Sequence, residues 1–261
     1  MIAVLSPAKS LDETSPVPPL DTTEPRFAAE AATLAAAAAK LTPRAIGKLM
    51  HISPALAKLN ADRFRDFGEA APRPALLTFD GDVYAGLQGK TLDARGIAFA
   101  QAHVRILSGL YGLLRPLDVM QPYRLEMGTA LKTARRKDLY VFWGARIADA
   151  LGEDLAGHDD PTLINLASVE YFDAVAVERL PGKVIAVDFR DEAADGAFRF
   201  NTFAGKRARG AMARFIVDER IDRAGGMQDF TGMGYSYRAE GSDPDRWLFV
   251  RKAASLKATR S

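Results

Sequence analysis

Between Ser108 and Gly128 the chain reads SGLYGLLRPLDVMQPYRLEMG, setting four charged side chains, Arg115, Asp118, Arg124 and Glu126, among leucines, tyrosines and methionines. A charge is carried into apolar surroundings only with a partner, because desolvation is costly. Arg115 with Asp118 and Arg124 with Glu126 therefore read as fixed pairs or as ligand contacts. As chemistry, Glu126, Asp118 or Glu170 could serve as acid or base while Arg115 or Arg124 holds an oxyanion or a phosphate. The plainer alternative is a structural loop whose ion pairs only brace the fold. Gly109, Gly112, Pro116 and Pro122 interrupt the stretch, so no single helix or strand runs through it, yet its apolar content calls for burial. Functional groups concentrate on packed irregular loops of this kind.

Positive charge forms the second feature. From Gly196 to Val217 there is no acidic residue, whereas Arg199, Lys206, Arg207, Arg209 and Arg214 fall inside that window. On the helix expected there, Ala208, Met212, Phe215 and Ile216 make the apolar stripe, and Arg207, Gly210 and Arg214 share another face. A glycine between two arginines would let a backbone or a flat base approach closely. The alternative is a solvated basic face. Further upstream, Arg44 and Lys48 lie four residues apart on one helix face, with Lys58, Arg63 and Arg65 nearby. That pattern suits a helical hairpin gripping phosphates, or simply an antiparallel helix pair with a basic exterior.

These groups need elements to position them. Ile2 to Leu5 reads as a buried strand that delivers Ser6 and Lys9 to a loop at its carboxyl end. An alanine-rich helix follows over 26–41, then two short helices over 43–50 and 54–66, each announced by Thr-Pro or Ser-Pro. Ala75 to Phe79 is expected to be a strand closed by Asp80-Gly81-Asp82, a turn or, less simply, a cation site. A helix over 93–103 and a strand over 104–107 lead into the loop. Asp138 caps a helix running to about Leu155. The strand 162–166 ends near Asn165, Ser168 and Glu170, so Lys9, Arg115 or Arg124, and Asn165 or Glu170 are expected to share a cleft. Strands 183–189 and 198–203 form a hairpin, and Trp247 to Val250 a closing strand. Tyr235 or Tyr237, if exposed, could stack on a base. The basic last residues are expected to fray.

The 261 residues carry a net charge of +2, with 48% hydrophobic and 26% charged side chains, as in an ordinary globular domain. One α/β domain spanning 1–261 is expected. With no cysteine, disulfides, thiol catalysis and thiolate metal sites are excluded. The first apolar run is too short for a signal peptide or a membrane span, so a cytoplasmic location, away from membrane, is expected. His51, His103 and His158 are scattered without ligand spacing, which argues against a metal site and direct iron sequestration. No cofactor is implied, and a monomer is favoured.

SPAKSLD at 6–12, KLTPRAIGKLMHIS at 40–53, FDGDVYAGLQ at 79–88, the stretch 107–128, FWG at 142–144, INLAS at 164–168 and KRARG at 206–210 together resemble the bacterial YaaA family of peroxide-stress proteins. The likeness spans nearly the whole chain. It implies a single α/β (α+β) domain, a mixed sheet surrounded by helices around a positively charged cleft, with a helix-hairpin-helix element falling here on 43–66. It further implies duplex or junction DNA as partner and a role in limiting free intracellular iron and oxidative DNA damage. Lys9, Arg44, Lys48, Arg63, Arg115, Arg124, Lys206, Arg207, Arg209 and Arg214 become the candidate DNA contacts. The resemblance supplies no catalytic residue. An enzyme acting on a nucleotide or a DNA base through the 108–128 loop stands as the alternative.

Overall fold

A computed structural model describes residues 1–133 and 136–252. Strands β1 (Ile2–Leu5) and β2 (Ser10–Leu11) precede helices α1 (Ala28–Ala39), α2 (Pro43–Met50) and α3 (Pro54–Arg65). β3 (Arg73–Pro74), α4 (Ala75–Thr78), β4 (Phe79–Asp80), α5 (Asp82–Leu87) and α6 (Ala94–His103) then lead to β5 (Val104–Ser108). The loop contributes β6 (Gly112–Leu114) and β7 (Val119–Met120). Next come α7 (Leu139–Trp143), α8 (Arg146–Leu155), β8 (Leu163–Asn165) and α9 (Val169–Phe172). β9 (Val184–Glu192), β10 (Phe198–Arg199), α10 (Thr202–Asp218), β11 (Tyr235–Asp243) and β12 (Arg246–Arg251) complete the described chain.

The fold is mixed α/β. One sheet runs β11-β12-β9-β8-β1-β5-β6, with β10 beside β9. Its five middle strands are parallel, and antiparallel pairs close both flanks. A parallel strand covered on both faces must be apolar throughout, and every residue of β1 is buried. β9 instead alternates buried Ile185, Val187, Phe189 and Asp191 with half-buried neighbours.

Local chemistry explains most element starts. Thr42, Ser53 and Asp138 each accept a backbone N–H from their helix's first turn, as their positions before Pro43, Pro54 and Leu139 suggest. Between α2 and α3, His51 takes the left-handed conformation (φ 52°) that ends α2. The helix pair is therefore present, with a turn built on histidine.

Three expectations are corrected. The run from Ala75 is helical to Thr78, whose hydroxyl donates to Pro74 O at 2.8 Å, and only Phe79 and Asp80 are extended. So short an apolar run carries no period to separate helix from strand. The helix from Asp138 breaks at Gly144 (φ 52°, ψ −127°), and Arg146 Nη1 donates to the freed Phe142 carbonyl at 2.6 Å. The strand expected over 198–203 stops at Arg199, because the Asn201 side chain accepts from Ala204 N at 3.2 Å and starts α10. The basic tail expected to fray, 253–261, lies outside the described residues.

Candidate functional site

β1 and β8 are neighbours, but the next parallel strand after β1 is β5 on one side and the next after β8 is β9 on the other. Where adjacent connections diverge, a crevice opens at the carboxyl ends of the strands. A cavity of about 520 Å³ lies there, walled by the 6–10 loop, residues 80–83, Glu126, residues 168–171, and Lys206 and Arg209 of α10.

Its floor is stitched across the two strands. Ser168 N donates to Ser6 Oγ at 2.8 Å, the two hydroxyl oxygens lie 3.3 Å apart, and Tyr84 OH donates to Ser6 O at 3.1 Å. Along one wall Lys9 Nζ meets Glu126 Oε2 at 2.6 Å, and Arg124 Nη2 meets Glu126 Oε1 at 3.3 Å. Arg124 Nε is buried without a hydrogen-bond acceptor. Gly128 N donates to Glu170 Oε1 at 3.0 Å. Burial pushes the Tyr171 phenol well above its ordinary range, so it stays protonated.

The opposite wall differs. Arg209 is half-buried beside the Phe200 ring, 5.8 Å from its centroid, and it makes no ion pair among the described residues. Burial lowers its pKa, while Asp188 acts in the opposite direction. A guanidinium stays charged regardless, so this cation is desolvated without a fixed anion. Lys206, Asp80 and Asp82 likewise make no ion pair among the described residues, although all three line the cavity. The cleft is thus mixed in charge, where the family resemblance implied a positive one.

The fold gathers Lys9, Arg124, Glu126, Glu170, Lys206 and Arg209 around this cleft. Arg115 and Asp118 lie elsewhere. Asp118 is 1% exposed and accepts from Thr23 Oγ1 at 2.6 Å and Arg115 N at 2.7 Å, with the Arg115 guanidinium at 2.8 Å. Its oxygens face protein donors in a brace. Asn165 is also turned to backbone, accepting from Ala167 N at 2.9 Å. Arg214 holds Asp218, Gln88 O and Thr91, and Arg63 pairs with Glu13. Arg44, Lys48 and Arg207 are exposed and make no ion pair among the described residues.

Two readings of the α10 region change. Gly210 does not face open space: a Cβ there would lie 1.7 Å from Val83 O, and one at Gly86 would lie 2.0 Å from Arg207 O. Reciprocal glycines let α5 and α10 pack backbone to backbone, so the gap between the arginines is filled by the protein itself. Tyr235 is buried and bonds Asp191 at 2.7 Å, which removes it as a stacking platform, and Tyr237 packs on Trp247.

Asp80-Gly81-Asp82, read in the sequence as a turn or a cation site, also forms cleft wall. One feature went unread. Lys132, with Arg136 and Lys137 close behind, belongs to a run, KTARRK, that contains no acid, and a groove brings Lys132 beside Lys48 and His51 of the helix pair. That run was the available signal. Among the described residues, no group of three or more His, Asp or Glu side chains is placed to hold a metal ion, and no helix is long and apolar enough to cross a membrane.

Sheet and cleft together define an α/β protein with a polar cleft at the carboxyl edge of its parallel strands. The chain belongs to the family described as peroxide stress protein YaaA, whose model matches residues 1–241. It is 54% identical over 254 residues to a UPF0246 protein of Rhizorhabdus wittichii, spanning 96% of this chain and 99% of that one. UPF0246 proteins of Ralstonia nicotianae and Polynucleobacter asymbioticus are each 49% identical, over 97% and 96% of this chain and 100% and 98% of theirs.

Proposed function

We propose that this member of a peroxide-stress family acts in the cytoplasm by binding DNA, duplex or junction, through the phosphate backbone. In doing so it limits oxidative DNA damage, alongside a role in holding down free iron. The observation that carries the DNA reading is how the cations are distributed. Lys58, Arg65, Arg115 and Arg214 are neutralised by nearby carboxylates, whereas Arg44, Lys48, Lys132, Lys206 and Arg207 make no ion pair among the described residues. Unpaired surface cations gain most from a polyanion, because neutralising phosphates releases condensed counterions. The α2–α3 pair presents Arg44 and Lys48 on one side, consistent with a helix-hairpin-helix use of this element.

Fluorescence anisotropy with labelled duplex and four-way-junction DNA across a salt series tests this reading. If about four phosphates are neutralised, log affinity should fall against log salt with a slope near −4. Lys48→Glu and Arg207→Glu should each weaken binding and flatten the slope by about one. Absence of binding at low salt would overturn the proposal. Chelatable iron in cells lacking and regaining the chain tests the iron role.

The mixed charge of the cleft favours a second reading, a site for a small ligand or a reaction, with Glu126 or Glu170 as acid or base. A surface binder of phosphates has little use for four carboxylates, Asp80, Asp82, Glu126 and Glu170, around one cavity.

A further inference from the structure

We infer that the cleft beyond β1 and β8 binds a nucleoside monophosphate unit, with the phosphate on Lys206 and Arg209 and the base toward Asp80 and Asp82. The inference rests on the second reading above, the cleft as a ligand site, and not on the binding of duplex DNA.

The charges in the cavity fall into two sets. Lys9 and Glu126 pair at 2.6 Å, Arg124 reaches Glu126 from just outside the lining at 3.3 Å with its Nε left unpaired, and Glu170 is engaged by Gly128 N at 3.0 Å. Lys206, Arg209, Asp80 and Asp82 line the same space yet make no ion pair with one another or with other described residues. They are kept apart by the backbone interlock of Gly86 and Gly210, which fixes α5, with Asp82 at its start, against α10. Opposite charges held in one cavity without meeting are completed by a ligand that carries an anion at one end and N–H donors at the other.

Simple ions do not fit that description. Free phosphate would meet Lys206 and Arg209 but also two carboxylates, and a polyamine would leave Arg209 desolvated and unpaired. An amino acid has both features but fills only a fraction of about 520 Å³, a volume within the roughly 300–1,000 Å³ of small-ligand sites. The lining also offers apolar surface to a flat ring, from Pro7, Ala8 and Val83, with Val169 76% exposed at the rim. Lys206 and Arg209 are three residues apart on α10, close enough to hold one phosphate together. Carboxylates favour bases that present adjacent N–H donors. Guanine offers an imino and an amino N–H side by side, whereas thymine offers a single imino N–H between two carbonyls.

The same unit could come from a free nucleotide or from the phosphorylated end of a DNA strand. Calorimetry of the full chain with dGMP, dTMP, deoxyguanosine and inorganic phosphate addresses the first. Anisotropy with a hairpin duplex bearing a 5′ phosphate or a 5′ hydroxyl addresses the second. In at least one arm the phosphorylated nucleotide should bind about tenfold or more tighter than its unphosphorylated counterpart, and Arg209→Met should remove that advantage. Lys206→Met, on an exposed position, repeats the test should Arg209→Met fail to fold. Asp82→Asn should erase the preference for dGMP over dTMP in the free-nucleotide arm, or for a terminal G over a terminal T in the DNA arm. Preference in the first arm assigns the free nucleotide and preference in the second assigns the DNA end. Duplex binding with no preference in either arm overturns this inference and leaves the DNA reading intact. Nucleotide binding without duplex binding does the reverse. A preference unchanged by both α10 variants also overturns it.

Discussion

The 108–128 loop carries two arginine–carboxylate ion pairs, Arg115 with Asp118 at 2.8 Å and Arg124 with Glu126 at 3.3 Å, and the surroundings of their carboxylates differ. Asp118 is enclosed, with Thr23 and the loop's own backbone as donors, and Arg115 Nη2 reaches Glu24 O at 3.0 Å. Glu126 is partly open, shared between Lys9 and Arg124 at the edge of the cavity, and beside it Arg124 keeps one N–H without an acceptor. Complete satisfaction marks the first pair as a brace. Incomplete satisfaction next to a cavity sets the second apart, since a native fold seldom leaves a buried donor unmet.

The sharpest way to break this distinction is to remove each carboxylate. Asp118→Ala should cost about 3–5 kcal/mol, because it strands a guanidinium and several donors. Glu126→Ala should cost under about 1 kcal/mol, its main partner Lys9 being largely exposed. Urea unfolding of both variants decides the matter, and equal losses would erase the contrast. A smaller effect is expected from Gly210→Ala, which pushes α5 away from α10 at a cost of roughly 1–3 kcal/mol. Unlike the loss of Asp118, it should also disturb the cleft, so a variant that loses stability while ligand binding per folded molecule stays unchanged would show that the interlock does not set the cleft.

A further effect concerns pH. Burial, followed by surrounding positive charge, pushes His158 down to about 4 from an ordinary 6.5, with the His103 ring 4.7 Å away. Between those values the unfolded chain takes up a proton that the folded chain refuses. The stability tied to His158 is therefore fully present above about pH 6.5 and lost as pH falls toward 4. His158→Asn should flatten the fall in unfolding midpoint between pH 7 and pH 4.

Much of the frame could be read from the sequence because its signals are local. Thr42-Pro43, Ser53-Pro54 and Asp138 announce helices through their own side chains, and the apolar run of β1 leads directly to Ser6 and Lys9. The site was legible in part. Residue type and a buried setting singled out Glu126, Arg124 and Glu170, but nothing local separates Asp118 from Glu126, since the difference lies in Thr23 and Lys9, far along the chain. Gly210 was misread for the same reason. Its glycine signals a close approach, and only the fold says that the approaching group is Val83 of α5.

That interlock also bears on the order in which the molecule is made. α5 is complete once Leu87 has formed, whereas α10 spans Thr202–Asp218, after four of the five parallel strands. A chain emerging from the ribosome folds its N-terminal parts first, and contacts between distant segments must wait for both. The acidic side of the cleft therefore exists for much of synthesis without its basic side, and the groove of α5 that will receive Gly210 stays open to solvent. The cleft is completed late, when α10 docks. A chain truncated before Thr202 would keep Ser6, Lys9, Glu126 and Glu170 and lack the Lys206 and Arg209 wall.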